Sequence, residues 1–168
     1  WSESWVKAME VAEPVVFVAS PAFWAQKYAE CEKNGTVKWS TKTVGQEEIS
    51  VRQITLDQIL QEPFFLTEKN ANYRQALDQH LASCRCCLSP VLEISDTAFI
   101  IQMLERNCGL SFLPLFAVQK QIWEGTLAAV EVDDVEISMY RQIFYHKNKF
   151  RTREMEQFIT FASEEENH

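Results

Sequence analysis

The sequence predicts an α/β fold built on a largely parallel sheet. Two observations carry this expectation. Short apolar runs alternate with longer segments whose apolar residues recur every three or four positions, the β-α-β-α order that produces parallel sheets. One of those runs, Val15-Val16-Phe17-Val18-Ala19, has no polar alternation, as a strand covered on both faces requires.

The elements follow in order. Pro21 opens a helix over Ala22 to Lys33, where Phe23, Lys27 and Cys31 stand four apart and Asn34-Gly35 stops the chain. Residues 35–50 are polar with scattered β-formers and read as a loop or short extended excursion. Thr55 caps a short helix over Leu56 to Gln61, which Pro63 ends. Phe64 to Thr67 is a short strand. A polar turn, Glu68 to Asn72, leads into a helix from Tyr73 to Ser83 with Leu77 and Leu81 on its apolar stripe.

Pro90 to Ile94 is the next strand, and Ser95 caps a helix from Asp96 to Asn107 that Gly109 closes. Leu110 to Leu113 is a strand, and Pro114 starts a helix that ends before Gly125. Leu127 to Val132 and Met139 to His146 read as strands, and a last helix runs from about Thr152 to Ser163.

Composition narrows the function. With 168 residues, 46% of them hydrophobic, the chain suits one domain or two small lobes with a real core. Its net charge of -8 argues against a broad basic face for nucleic acid. No apolar run reaches the roughly 18 residues of a membrane span. Glycine occurs only four times, and neither G-x-G-x-x-G nor a Walker-type loop is present, so phosphate cradles are not expected. Five cysteines, an odd number with three crowded at Cys84, Cys86 and Cys87, fit a reduced, cytoplasmic setting. The chain opens on Trp1, so a preceding module is expected outside it.

From Ile54 onward the sequence resembles the effector-binding domain of LysR-type bacterial transcriptional regulators. The carrying segments are Ile54-Thr55-Leu56-Asp57-Gln58-Ile59 with Glu62-Pro63-Phe64-Phe65-Leu66, then Arg74 with Leu77-Asp78. Glu93-Ile94-Ser95, Ile101 to Leu104 and Cys108-Gly109-Leu110-Ser111-Phe112-Leu113-Pro114 follow, resembling the family's G-x-G-I-x-x-L-P neighbourhood. Gly125-Thr126-Leu127 and Phe158-Ile159 complete the series. Upstream, Pro14 to Pro21 is similar to the strand that crosses into the second lobe. Three departures stand out: Asn107 replaces the first glycine, residues 31–50 look like an insertion, and the helix-turn-helix and the first β-α units of lobe one are expected to be absent from this chain.

The resemblance implies a periplasmic-binding-protein-like (type II) two-lobed fold, with mostly the second lobe present. Residues 1–14 would be a remnant of lobe one, 15–138 the second lobe, and 139–168 the return strand and C-terminal helix of lobe one. It also implies a homodimer or tetramer that reaches DNA only through a helix-turn-helix domain absent from this chain.

Ligands of open parallel sheets collect outside the carboxyl ends of the strands, where helix N-termini present unpaired N–H groups. Three turns offer short polar side chains there: Ser20, the Thr67 to Asn72 turn, and Ser95-Asp96-Thr97. The resemblance points to the same place, a cleft lined by Ser20 and the Thr67 to Tyr73 turn. The expected effector-binding residues are Ser20, Thr67, Asn70, Asn72, Tyr73, Ser95 and Asp96. Each also reads, taken singly, as a helix cap of ~1 kcal/mol. Glu68 and Asp96 disfavour a simple anion. A zwitterion, or a carboxylate meeting Lys69 or Arg74, fits better.

Other constellations carry less. His80, Cys84, Cys86 and Cys87 do not have zinc-ligand spacing, and the plainer reading is a helix end with buried or idle thiols. Arg85 beside Cys84 and Cys86 leaves a thiol redox switch open. No nucleophile–base pair for an enzyme is apparent. Trp24, Trp39 and Trp123 read as core or interface residues. The expected function is therefore a small-molecule effector-binding regulatory domain, not an enzyme, and without a cofactor. A solute-binding protein of the related periplasmic fold and a thiol redox-sensing regulator domain are the alternatives.

Overall fold

A computed structural model of the chain describes residues 5–133, 135 and 137–146. The helix expected from Thr152 to Ser163 lies outside them. The chain divides into two compact units, residues 1–14 with 138–168, and residues 15–137. In the first, the opening part of strand β1 (Trp5–Ala19) pairs antiparallel with β9 (Ser138–His146), from Trp5 opposite His146 to Pro14 opposite Ser138.

The second unit is an α/β sheet. Helix α1 (Pro21–Lys33) follows β1, and the hairpin β2 (Lys38–Val44) and β3 (Glu47–Thr55) comes next. Then come α2 (Leu56–Ile59), β4 (Phe65–Leu66), α3 (Asn72–Ser83), β5 (Leu92–Glu93) and α4 (Thr97–Glu105). The unit ends with β6 (Leu110–Pro114), α5 (Leu115–Glu124), β7 (Ala128–Val130) and β8 (Val132–Asp133).

Strand β4 runs parallel to β5, and Phe64 bridges Leu110 in the parallel sense, which gives the order β5-β4-β6-β1-β7. Four of these strands share one direction. β1 is reversed, antiparallel to both β6 and β7. The alternation of strand and helix in sequence does not reveal this reversal, because β1 enters this sheet from one end and β4, β5, β6 and β7 from the other.

Both faces of β1 are covered over Val15 to Ala19, as that unbroken apolar run predicts. Val18 packs on one face with Ile100, Ile101, Leu104, Leu113, Val118 and Leu127. On the other, the Phe17 ring lies 4.7 Å from Phe112 and 6.4 Å, edge-on, from Phe64. Each such side chain contributes roughly 1.5–3 kcal/mol by leaving water. Trp24 is buried and its Nε1 donates to the Ala128 carbonyl at 2.8 Å, tying α1 to β7. Trp39 and Trp123 are exposed, so of the three tryptophans expected in a core or an interface, Trp24 is the one in the core.

The 35–50 segment is more regular than expected. It forms most of an antiparallel hairpin, in register from Lys38 opposite Gln53 to Val44 opposite Glu47. Gly45 turns it with φ +66 at the first central position, where two-residue hairpins favour glycine. The expected strand over Leu127 to Val132 divides in two: β7 joins β1, whereas β8 pairs parallel with β3.

Candidate functional site

Strand direction decides which turns meet. Ala19 is paired with Leu110, so Ser20 lies beyond the N-terminal ends of β6 and β7. Phe64 is level with Leu110 and runs parallel to β6, so Thr67 lies at the C-terminal rim. Four residue steps separate the two levels, roughly 13 Å along the strands. The expected convergence of Ser20 with the other turns therefore fails: an antiparallel strand delivers its C-terminal residue to the opposite rim.

Ser20 is occupied structurally there. Its Oγ accepts from Phe23 N at 3.1 Å as the N-cap of α1, and donates to Asn107 Oδ1 at 2.8 Å. Asn107 has φ +62 and ends α4, with Asn107 N bonded to Leu104 O and Cys108 N to Met103 O. This is the left-handed helix stop that glycine usually makes and asparagine tolerates.

The remaining expected residues share the C-terminal rim. Thr67 follows β4, and Ile94 N donates to Leu66 O, which brings Thr67 beside the Ile94-Ser95 exit of β5. Helices α3 and α4 both begin at this rim. Asn70 and Asn72 are exposed on the turn, and Tyr73 is half-buried against the core. Ser95 is exposed and does not cap. Asp96 does, its Oδ1 accepting from Phe99 N at 3.1 Å, so the cap stands one residue later than expected and that carboxylate is committed. Thr67 is buried, and its Oγ1 has no hydrogen-bond partner among the described residues.

Sequence reasoning left open that Arg74 could meet an acidic ligand. The structure commits it otherwise. The buried guanidinium donates Nη1 to the Thr67 carbonyl at 2.8 Å, Nη2 to Glu93 at 2.9 Å and Nε to Asp78 at 3.1 Å. Burial alone would favour losing the proton. The bonds to Glu93 and Asp78 outweigh it and hold the pKa above its ordinary value. Arg74 thereby ties the turn after β4 to α3 and β5. Lys69, exposed on the turn, has no such ties among the described hydrogen bonds.

A concavity of about 680 Å³ lies elsewhere in this unit. Residues 35–38, residues 55–58, His80, Cys84 and Cys86 line it. His80 and Cys84 stand one turn apart at the end of α3, with Nε2 and Sγ 3.7 Å apart. No group of three or more metal-ligating side chains is poised for a metal among the described residues. None of the described helices is long and apolar enough to cross a membrane.

The profile of the LysR substrate binding domain matches residues 48–167. The HTH-type transcriptional activator CmpR of Synechocystis sp. (strain ATCC 27184 / PCC 6803 / Kazusa) is 25% identical over 101 residues, 60% of this chain and 33% of CmpR. Among solved structures, the regulatory domain of HypT from Salmonella typhimurium superposes with a TM-score of 0.51 at 15% identity, covering 95% of this chain and 63% of that one. The Synechocystis PCC6803 CcmR regulatory domain in complex with 2-PG gives 0.56 at 14% identity, covering 94% and 64%. The effector binding domain of QuiR in complex with shikimate gives 0.55 at 10% identity, covering 99% and 68%. The chain thus spans a third of its curated relative and under two thirds of the HypT and CcmR domains. The fold is the type II periplasmic-binding-protein-like α/β fold of those domains, and the chain belongs to the LysR substrate-binding domain family.

Proposed function

We propose that this chain is the effector-sensing part of a LysR-type transcriptional regulator, and that it binds a small molecule at the C-terminal rim of β4 and β5. The observation that carries the site is the buried Thr67 hydroxyl. It lacks a partner among the described residues, on a turn that Arg74 holds in place between the starts of α3 and α4. Leaving a buried hydroxyl unpaired costs about 1–3 kcal/mol, and a ligand oxygen or nitrogen would recover it. Thr67, Asn70, Asn72, Tyr73 and Ser95 make up the site. Asp96 takes part only as the cap that orients α4, and Ser20 is excluded.

With Arg74 neutralised by two acids, the rim offers hydroxyl, amide and backbone N–H groups beside Lys69, and Glu68 stands on the same turn. A zwitterion or a small polar carboxylate suits that mixture. The relatives CcmR and QuiR hold 2-PG and shikimate, which supports a small-molecule ligand here. Binding would bias the geometry of a homodimer or tetramer, in the cytoplasm, and so the placement of DNA-binding domains carried elsewhere in the full-length protein. No chemical step is involved. A thermal-shift screen of the complete regulator against amino acids, small carboxylates and aromatic acids tests this. A ligand that raises the melting temperature should lose its effect in Thr67→Ala and Asn72→Ala. An undiminished shift in both variants refutes the site.

A further inference from the structure

The cleft at the far end of α3 holds chemistry that effector binding does not use. Cys84 is the C-cap of α3, and His80 is one turn before it. Arg85 is left-handed at φ +56, a conformation that non-glycine residues seldom adopt. Arg85 N bonds to Ala82 O, and Cys86 N bonds to Leu81 O at 2.9 Å. The chain therefore folds back over the helix end, which keeps Cys84 on the wall of the cleft instead of carrying it away. Cys84 is exposed, and its sulfur contacts the His80 imidazole. Lys38, Thr55 and Gln58 line the same cleft. A volume of about 680 Å³ suits a small organic molecule.

From this grouping we infer that the cleft is a covalent capture site for small α,β-unsaturated carbonyl compounds, with Cys84 as nucleophile, His80 as proton carrier and Lys38 facing the carbonyl oxygen. Soft sulfur attacks the soft β-carbon of such a compound. The Cys84 proton passes to His80 Nε2. The thiolate forms the S–C bond to the β-carbon as the C=C π pair moves onto the α-carbon and carbonyl oxygen, where the Lys38 charge stabilises the enolate. The His80 proton then goes to the α-carbon. The product is a saturated thioether, with every atom of both reactants retained and no external oxidant or reductant. Cys86 lines the same cleft, and its thiol pKa is pushed up, first by partial burial and then by the neighbouring Cys84, Asp57 and Cys87.

Two other thiols serve as references within the same chain. Cys108 is exposed, and its described contact is the Arg106 carbonyl, not an imidazole. Cys31 is buried and reports unfolding. The test is time-resolved peptide mass spectrometry of the intact chain with methyl vinyl ketone near neutral pH. Cys84 should be alkylated on the order of a hundredfold faster than Cys108, the lower end of what a positioned general base contributes, while Cys31 stays unlabelled. His80→Asn should bring Cys84 down to the Cys108 rate. Lys38→Gln should slow the enone reaction at Cys84 but leave its reaction with an aromatic disulfide reagent unchanged. Equal rates at Cys84 and Cys108 in the unmodified chain overturn the proposal, as does a Cys84 rate indifferent to His80→Asn. A Lys38→Gln effect equal on both reagents, or absent from both, overturns the carbonyl assignment.

Discussion

The Ser20 hydroxyl donates to Asn107 Oδ1 across 2.8 Å, joining the cap of α1 to the left-handed residue that ends α4, 87 positions later. One side chain thus serves two helices. Asn107→Ala should cost about 1–2 kcal/mol, since it adds left-handed strain to the lost bond. Asn107→Gly removes the strain and should cost less than Asn107→Ala. Urea unfolding of both, with Ser20→Ala and the double variant, should give a Ser20–Asn107 coupling of about 0.5–1.5 kcal/mol. Additive effects would mean that the contact contributes nothing.

Two residues further on, glycine is required for a different reason. A Cβ on Gly109 would stand 2.1 Å from the Pro63 carbonyl oxygen, whose bond from Leu110 N at 3.0 Å fixes it in place. Neither backbone segment can yield without breaking the junction of β4 with β6. Gly109→Ala should therefore cost about 3 kcal/mol or more. A urea midpoint within error of the parent would show that the junction is softer than this packing implies.

What could be read in the sequence depended on whether the deciding interaction was local. The Asn34-Gly35 stop of α1, the Gly125 stop of α5 and the double-faced burial of Val15 to Ala19 are local, and the structure has them. The β2–β3 hairpin was hidden because most of its side chains face water, so no alternation marks its two faces. The reversal of β1 is a matter of topology, invisible in its composition, and Ser20 was assigned to the wrong rim for that reason alone. Arg74 reads as available to a ligand because Glu93, 19 positions away, meets it only in the fold, whereas Asp78, one helical turn on, is a partner the sequence itself offers. Arg85 gave no sign of its left-handed turn, since nothing in its side chain favours one.

Burial of Lys27 would lower its pKa, but its hydrogen bond and charge pairing with Glu62, helped by Glu30 at 3.4 Å, prevail and raise it above 10.5. A raised pKa in the folded state stabilises fully below the unfolded value, and that stability is lost as pH climbs through the folded one. Glu62→Gln should cost roughly 1–3 kcal/mol near neutral pH, less than for a fully buried pair because Glu62 is partly exposed. The stability that the parent loses as pH climbs above 10.5 through the folded Lys27 pKa should shrink or vanish in the variant, because that pKa falls back once the Glu62 charge is gone. Tyr28, whose pKa burial also raises, titrates in both proteins and cancels from the difference. Parallel melting curves against pH for the two proteins would show that Lys27 gains nothing from Glu62.

Arg74 offers the sharpest test of how the proposed effector rim is held. Its three bonds leave in different directions from one planar group, to the Thr67 carbonyl, Glu93 and Asp78. A lysine ammonium keeps the charge but cannot span that fork. Glu93 and Asp78 are about one-third and two-fifths exposed, so water can take them back when the guanidinium goes. The Thr67 carbonyl sits with a buried residue and has less recourse. Arg74→Lys and Arg74→Met should therefore cost similar amounts, about 2–3 kcal/mol, because the lost tie, and not the lost charge, dominates. Amide exchange should quicken over residues 68–72 in both variants while α5 keeps its protection, and any effector shift should weaken. If Arg74→Lys preserves both stability and exchange protection, charge alone organises the turn and the guanidinium geometry is dispensable.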